Sequence, residues 1–397
     1  MTAGGQQDEA LLTAFRDDVE YYDGRARGLL ASARDGTEGA VAAFDRLGAP
    51  MTEPGARTVL ALEHGFASWS ELAHHVRSLR NSEEPFIRAY HTVEAHDVAG
   101  LREQLDRSPD LVHVRGTNRN DLLGMAAATC DERLVAVLLE HGADPARANV
   151  HGWTPLHQAA YSGLPHLARM LLAAGAPVDV SARGEGGTPL VVALFWGNRE
   201  TAELLAEHGV YPPNLRVAAG LGLAELIEEL VSFDGALAPG AGAQRAYYRP
   251  HGGFPVWRPS SDPQEILDEA LSWAARNDRL EALELLVARG ARVDADVYRG
   301  TALAWASACG HIAAVRRLLY LGADPNARTT FGGPDHGEHA TALHLAAESN
   351  RLEVIRELLE MGADPTIRDA RHQHTPGGWA EHGGHAAARD LLQGLER

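Results

Sequence analysis

An all-α solenoid of stacked helix–turn–helix repeats is predicted by three features of this 397-residue chain. A Thr-Pro-Leu-His-like opening recurs at Thr154-Pro155-Leu156-His157, Thr188-Pro189-Leu190, Thr301-Ala302-Leu303, Thr341-Ala342-Leu343-His344 and Thr375-Pro376, with steps of 34 residues from 154 to 188 and from 341 to 375. A Gly-Ala-Asp-Pro-like turn follows in the same phase at Gly142, Gly175, Gly209, Gly290, Gly322 and Gly362. Between the two landmarks apolar residues recur at i, i+3 and i+4, the spacing of an amphipathic helix.

Each unit has a physical reading. The Thr side chain caps an inner helix, and Pro takes an early helical position where no backbone donor is needed. An outer helix such as Leu352 to Leu359 presents one apolar face to its neighbour and ends at a glycine able to adopt positive φ. One repeat cannot bury that face alone, so stability should be nearly a sum of repeat and nearest-neighbour terms, with atypical end repeats.

In chain order, residues 1–83 lack the repeat and read as an N-terminal helical module. Helical spacing is seen at Leu11 to Tyr22, Gly39 to Leu47, Ala56 to His64 and Ser70 to Leu79, with breaks at Asp35-Gly36 and Ala49-Pro50 and a Ser68/Glu71 capping box. This module is either a separate partner-binding domain or a cap over the first repeat. Residues 84–397 form the repeat domain, about eight to nine repeats, beginning near Phe86 and then Asn120, Thr154, Thr188, Asn214, Ile266, Thr301, Thr341 and Thr375. The unit from Thr375 to Leu392 fits a terminal cap.

Two enlarged finger insertions, near 233–263 and 329–340, interrupt the pattern. The first carries Tyr247, Tyr248, Arg249, His251, Phe254 and Trp257 in a chain only 6% aromatic, so it is not low-complexity filler. The second carries Phe331, Asp335, His336, Glu338 and His339. Insertions in repeat proteins project from one face, often the binding face. In the ankyrin repeats that these units resemble, the two residues after the paired alanines of each inner helix face a groove. They include Tyr161, Phe195, Trp196, Gly220, Leu221, Arg276 and Asn277, with Trp153, Tyr298 and Arg299 on adjoining fingers. Trp153, Tyr161, Phe195, Trp196, Trp257, Tyr298 and Arg276 are therefore the expected substrate-binding residues. Such a groove suits an apolar small molecule oriented by a few polar groups, and equally a protein partner gripped by aromatic and Arg anchors.

Composition excludes other classes. A formal charge of −18 opposes phosphate-backbone binding, so no nucleic acid is expected. No apolar run approaches membrane-spanning length, the opening residues lack a signal-peptide pattern, and Cys130 and Cys309 are too far apart in a stacked array to pair, so a cytoplasmic protein is expected, without membrane association. No phosphate- or dinucleotide-binding loop occurs, so no cofactor is expected. His157 and His344 sit where a repeat histidine makes a local backbone hydrogen bond. His336-x-x-His339 and His382-x-x-His385 lack the helical context and cysteine partners of a metal site, and no metal is expected.

What remains as chemistry is a cofactor-free acid/base set of Tyr248, Arg249, His251, Asp335 and His336, carried on the two insertions. A tuned His or carboxylate can remove a proton while Arg or Tyr stabilises the developing oxyanion. Each residue also has a purely structural alternative, as a loop staple or turn cap.

The repeats resemble the ankyrin superfamily, most of whose members are binding scaffolds. The segments Ala61 to Trp69, Tyr248 to Phe254 and Phe331 to Gly337 resemble actinobacterial ankyrin-repeat proteins, some similar to natural-product tailoring enzymes that act as polyketide cyclases by dehydration and conjugate addition. That resemblance implies a cofactor-independent cyclase or dehydratase but transfers no catalytic residue. The alternative is a non-catalytic protein-protein interaction scaffold.

Overall fold

The computed structural model describes residues 18–36, 38–79, 85–116, 119–182, 186–209, 211–245, 259–331 and 338–395. Among them are 22 α-helices, one short 3-10 helix at Pro109–His113, no β-strands and three isolated bridges. They fall into two compact units, one running to residue 183 and the other starting at 184.

The N-terminal unit opens with α1 (Val19–Arg34), α2 (Glu38–Leu47), α3 (Glu53–Glu63) and α4 (Trp69–Leu79). The first helix differs from expectation: its described part continues past Tyr22 to Arg34, because Tyr22, Ala26, Leu30 and Ala33 make one buried stripe at helical spacing. Those residues share a hydrophobic cluster with Phe44, Val59, Leu60, Leu72 and Val76, so the four helices bury a core of their own. At the start of α4, Ser68 Oγ accepts from Glu71 N (3.2 Å), and the Glu71 carboxylate accepts from Ala67 N (3.1 Å). The helix pairs α5/α6 (Pro85–Glu94, Val98–Arg107), α7/α8 (Leu122–Ala128, Glu132–Glu140) and α9/α10 (Pro155–Ser162, Pro165–Ala173) complete the unit.

The C-terminal unit stacks six further pairs: α11/α12 (Pro189–Trp196, Arg199–His208), α13/α14 (Leu215–Leu221, Ala224–Leu230), α15/α16 (Pro263–Arg276, Leu280–Ala288), α17/α18 (Ala302–Cys309, Ile312–Tyr320), α19/α20 (Ala342–Glu348, Leu352–Glu360) and α21/α22 (Pro376–His382, Ala386–Gln393). One continuous apolar cluster, from Leu215 through Leu271, Leu303 and Leu343 to Leu392, joins five of these pairs, which is how single repeats that cannot fold alone become stable.

The repeat motif works as its residues imply. Thr154 N donates to His157 Nδ1 (3.1 Å) while Thr154 Oγ1 accepts from His157 N (3.4 Å), and the same reciprocal cap forms at Thr341 and His344. These histidines are therefore buried capping groups. The fingers are tied in sequence: Asp294 Oδ1 accepts from Asp324 N (3.0 Å) and Asn326 Oδ1 from Asp364 N (2.7 Å).

Candidate functional site

The inner helix α11 is apolar on every side, so all of its residues from Pro189 to Phe195 are buried. Gly197 ends it in the left-handed region, φ 72°. The last carbonyls of any helix lack intrahelical donors. Here side chains from later repeats supply them: Asn277 Nδ2 donates to Leu194 O (2.9 Å), Arg276 Nη1 to Phe195 O (3.1 Å) and Cys309 Sγ to Trp196 O (3.8 Å). A guanidinium at a helix C-terminus also faces the negative end of the helix dipole.

Around this junction the aromatics of several inner helices and fingers converge. The Phe195 ring lies 5.4 Å from Trp305, 6.0 Å from Tyr298 and 6.5 Å from Trp273, centroid to centroid. Arg276 sits between two of them, its Cζ 3.7 Å from the Trp305 ring and 4.4 Å from Phe195. Phe331, the last described residue before 332, packs on Trp305 at 4.9 Å.

A second buried group anchors the first insertion. Arg216 Nη1 meets Glu269 Oε1 at 3.1 Å, and Arg245 Nε donates to Glu269 Oε2. Arg245 also donates to Glu265 Oε1 (2.9 Å) and to Ser260 O (2.8 Å), while Ser260 N donates to Glu265 Oε1 (2.7 Å). Residues 245 and 260, which flank the heart of the insertion, are thus held together at its base. The three charged side chains Arg216, Arg245 and Glu269 are buried. None of them was expected from sequence, yet a signal was present. Glu265, Glu269, Ser272 and Arg276 are spaced by four, three and four residues, a polar stripe down one face of the helix.

A small cavity opens beside this junction, lined on its apolar side by Phe195, Trp273 and Tyr298 and on its polar side by Arg216, Glu269 and Arg276. Its solvent-sized space is about 10 Å³, room for roughly one water. Three side chains expected to bind substrate, Phe195, Arg276 and Tyr298, therefore meet at one place. The expectation that they line an open groove is corrected: their exposures are 2%, 1% and 8%, because α11 docks on α15 and α17 and the aromatics pack on one another. Trp196 is half-buried at the same junction, its ring 5.3 Å from Phe195. Trp153 and Tyr161 belong to the N-terminal unit, where Trp153 is buried, donates Nε1–H to Gln158 Oε1 (3.2 Å) and packs edge-on with Tyr161 at 6.0 Å. Tyr248, Arg249, His251 and Trp257, and likewise Asp335 and His336, lie outside the described residues.

Among the described residues no group of three or more His, Cys, Asp or Glu side chains is arranged to hold a metal ion, and no helix is long and apolar enough to cross a membrane. Capped helix pairs joined by protruding fingers define a repeat-scaffold protein. The family profile for ankyrin repeats (3 copies) matches residues 103–182, 123–217 and 215–329, and that for a single ankyrin repeat matches 338–370. These segments cover more than half of the chain, and it belongs to the ankyrin repeat family.

The chain is similar to Protein PhlB of Serratia liquefaciens, 36% identical over 104 residues, which are 26% of this chain and 45% of that protein. It is also similar to the ankyrin repeat and SAM domain-containing protein 6 of Rattus norvegicus (32% over 133 residues, 33% of this chain and 15% of the other). A third relative is the potassium channel GORK of Arabidopsis thaliana (36% over 101 residues, 24% and 12%). The matched part spans less than half the length of each of these relatives.

Proposed function

We propose that this chain is a protein-interaction scaffold that binds a partner with basic surface along the fingers of its C-terminal unit. The observation that carries the reading is the match of its repeats to a family built mostly for binding. Two features of geometry support it. Phe195, Trp273, Tyr298 and Trp305 are buried against one another, and the cavity beside them has solvent-sized space far below the ~300–1,000 Å³ of ordinary small-molecule pockets. Asp294, Asp324 and Asp364 occupy the same finger position in successive repeats and are exposed, on a chain of formal charge −18. A row of one sign steers an oppositely charged partner and sets its register.

The cofactor-independent cyclase reading retains one supporting observation, the convergence of Phe195, Arg276 and Tyr298 on one cavity. Its acid/base set, Tyr248, Arg249, His251, Asp335 and His336, is a proposal on residues outside those described.

The test pairs capture with turnover. Wild-type protein and an Asp324→Lys/Asp364→Lys variant are used as baits, and chelator-treated wild type is incubated with linear polyketide precursors. A partner retained by wild type, weakened in the variant and released by moderate salt supports the scaffold. Conversion of a precursor to a cyclised or dehydrated product, with no charge-dependent partner, replaces it with the enzyme.

A further inference from the structure

We infer that His311 and Asp278 form an acid-sensitive joint between the α15/α16 repeat and the α17/α18 repeat, closed while the imidazole is neutral and loosened when it takes up a proton. The inference concerns how the array is held together and does not depend on the scaffold reading.

The joint belongs to a periodic clamp. In three successive repeats, the residue before the outer helix reaches back and donates to the inner helix of the preceding repeat. Arg279 Nε donates to Gly220 O (3.1 Å), His311 Nε2–H to Arg276 O (2.8 Å) and Arg351 Nε to Ala308 O (3.3 Å). The acceptors hold equivalent places, each three residues before the N-cap of its own repeat's outer helix, at Leu223, Arg279 and His311. Carbonyls in the last turn of a helix lack intrahelical donors, so each clamp satisfies a group that its helix cannot.

The middle clamp is built differently. At the two Arg clamps the side chain lies over a glycine of the preceding repeat: a Cβ on Gly222 or Gly310 would stand 2.8 Å from Cδ of Arg279 or Arg351. At the middle one that place is taken by Asp278, in the left-handed region at φ 54°, and a shorter imidazole stands where the flanking repeats have Arg. Asp278 Oδ1 accepts from Ala314 N (3.1 Å), so it caps α18 from the preceding repeat, where the helix's own N-cap residue, His311, makes no side-chain cap. Two side-chain hydrogen bonds running in opposite directions thus cross this interface.

Arginine keeps its charge at any working pH, whereas histidine changes charge near neutrality. A carbonyl oxygen only accepts, so Nε2 of His311 carries the hydrogen and Nδ1 is where a proton adds. Burial opposes the imidazolium most strongly; Asp278 and the bond to Arg276 O favour it, while Arg351 from the next repeat and Arg199 from α12 oppose it. Burial pushes the pKa of the nearby Cys309 thiol up and keeps it uncharged. The balance holds the His311 pKa below its ordinary value. An unfolded histidine binds its proton below about 6.5, so the stabilisation is complete above that value and declines as pH falls.

Hydrogen exchange of the full chain at pH 7.5 and 5.5, read by mass spectrometry and divided by the intrinsic rate at each pH, tests the joint. A His344→Gln background removes the titration of that buried histidine. Backbone protection of residues 312–320 is expected to fall about threefold or more relative to 352–360 on acidification, as local opening predicts. The relative fall should vanish in His311→Gln, and in Asp278→Gly/His311→Arg, which copies the flanking clamps. If neither variant folds, NMR of the wild-type imidazole decides: the Nε2–H tautomer at pH 7.5 is expected, with a titration midpoint below that of the urea-unfolded chain. Equal changes in the two segments of the His344→Gln parent, a relative fall that persists in the variants, or a midpoint at or above the unfolded value would overturn the joint and leave His311 a clamp without acid response.

Discussion

Arg276 lies with its Cζ 3.7 Å from the Trp305 ring and 4.4 Å from Phe195, so one cation joins two aromatics whose repeats are three apart in sequence. A regular repeat array couples nearest neighbours, and its energetics are close to a one-dimensional sum. This junction breaks that rule within the C-terminal unit, since α11 contacts α15 and α17 directly through Phe195, Trp196 and Gly197.

Coupling between Phe195 and Trp305 is the first expected consequence. Each to Ala should cost about 3–5 kcal/mol from cavity formation and lost burial. Their double variant should fall short of additivity by about 0.5–1.5 kcal/mol, the scale of an aromatic pair. Urea unfolding of the four-protein cycle measures it, and strict additivity would show the repeats to be independent after all.

Gly197 should not tolerate alanine. Its φ of 72° disfavours a side chain, and a Cβ there would stand 2.3 Å from Arg276 O and 2.8 Å from Cys309 Sγ. Left-handed backbone alone costs roughly 1–2 kcal/mol for an L-residue, and backbone must also shift. A Gly197→Ala variant should therefore lose about 2 kcal/mol or more in denaturant unfolding. A loss under 0.5 kcal/mol would mean that α11 is not seated so closely.

The buried ion group predicts an order of effects. Glu269→Gln leaves Arg216, Arg245 and Arg276 together with no fully buried counter-charge beside them, whereas Arg245→Met leaves Glu269 still paired with Arg216. Breaking a buried pair costs roughly 3–5 kcal/mol. Chemical denaturation should find Glu269→Gln the more damaging of the two; the reverse order would contradict the charge inventory.

Acid should loosen the end of the C-terminal unit through His344. Its Nδ1 accepts from Thr341 N (3.1 Å) and its Nε2–H donates to His374 O (3.2 Å), so the folded ring is neutral, and burial pushes its pKa down to about 4. An unfolded histidine binds its proton below about 6.5. Stability from this group is therefore complete above that value and declines as pH falls from about 6.5 to 4. The total is about 3 kcal/mol, at 1.36 kcal/mol for each pH unit separating the two pKa values. Denaturant midpoints at pH 7.5 and 4.5, with His344→Gln as the comparison, should show a shallower acid decline in the variant.

Much of this protein was legible one residue at a time. Thr154 with His157, and Thr341 with His344, cap their helices through contacts three residues apart, and the in-phase glycines end outer helices by local backbone geometry. Such interactions repeat with the motif, so the period alone announces an all-α ankyrin-repeat array and the place of each inner and outer helix. The two insertions are read from the sequence as lengthened periods, and the middle of each lies outside the described residues.

The junction around Arg276 was decided only by tertiary structure. Sequence register placed Phe195 and Arg276 on an open face, which holds when each repeat meets only its neighbours. Arg276 reaches Phe195 across 81 residues and Cys309 reaches Trp196 across 113, distances in sequence over which no periodic pattern specifies contact. Which carboxylate pairs with which arginine, which carbonyl a guanidinium caps and whether aromatics face water or one another depend on how closely α11 seats on α15 and α17. That closeness arises from summed packing, with no Cβ at Gly197 to hold the helices apart, and it is what turned an expected groove into a buried, charged aromatic junction.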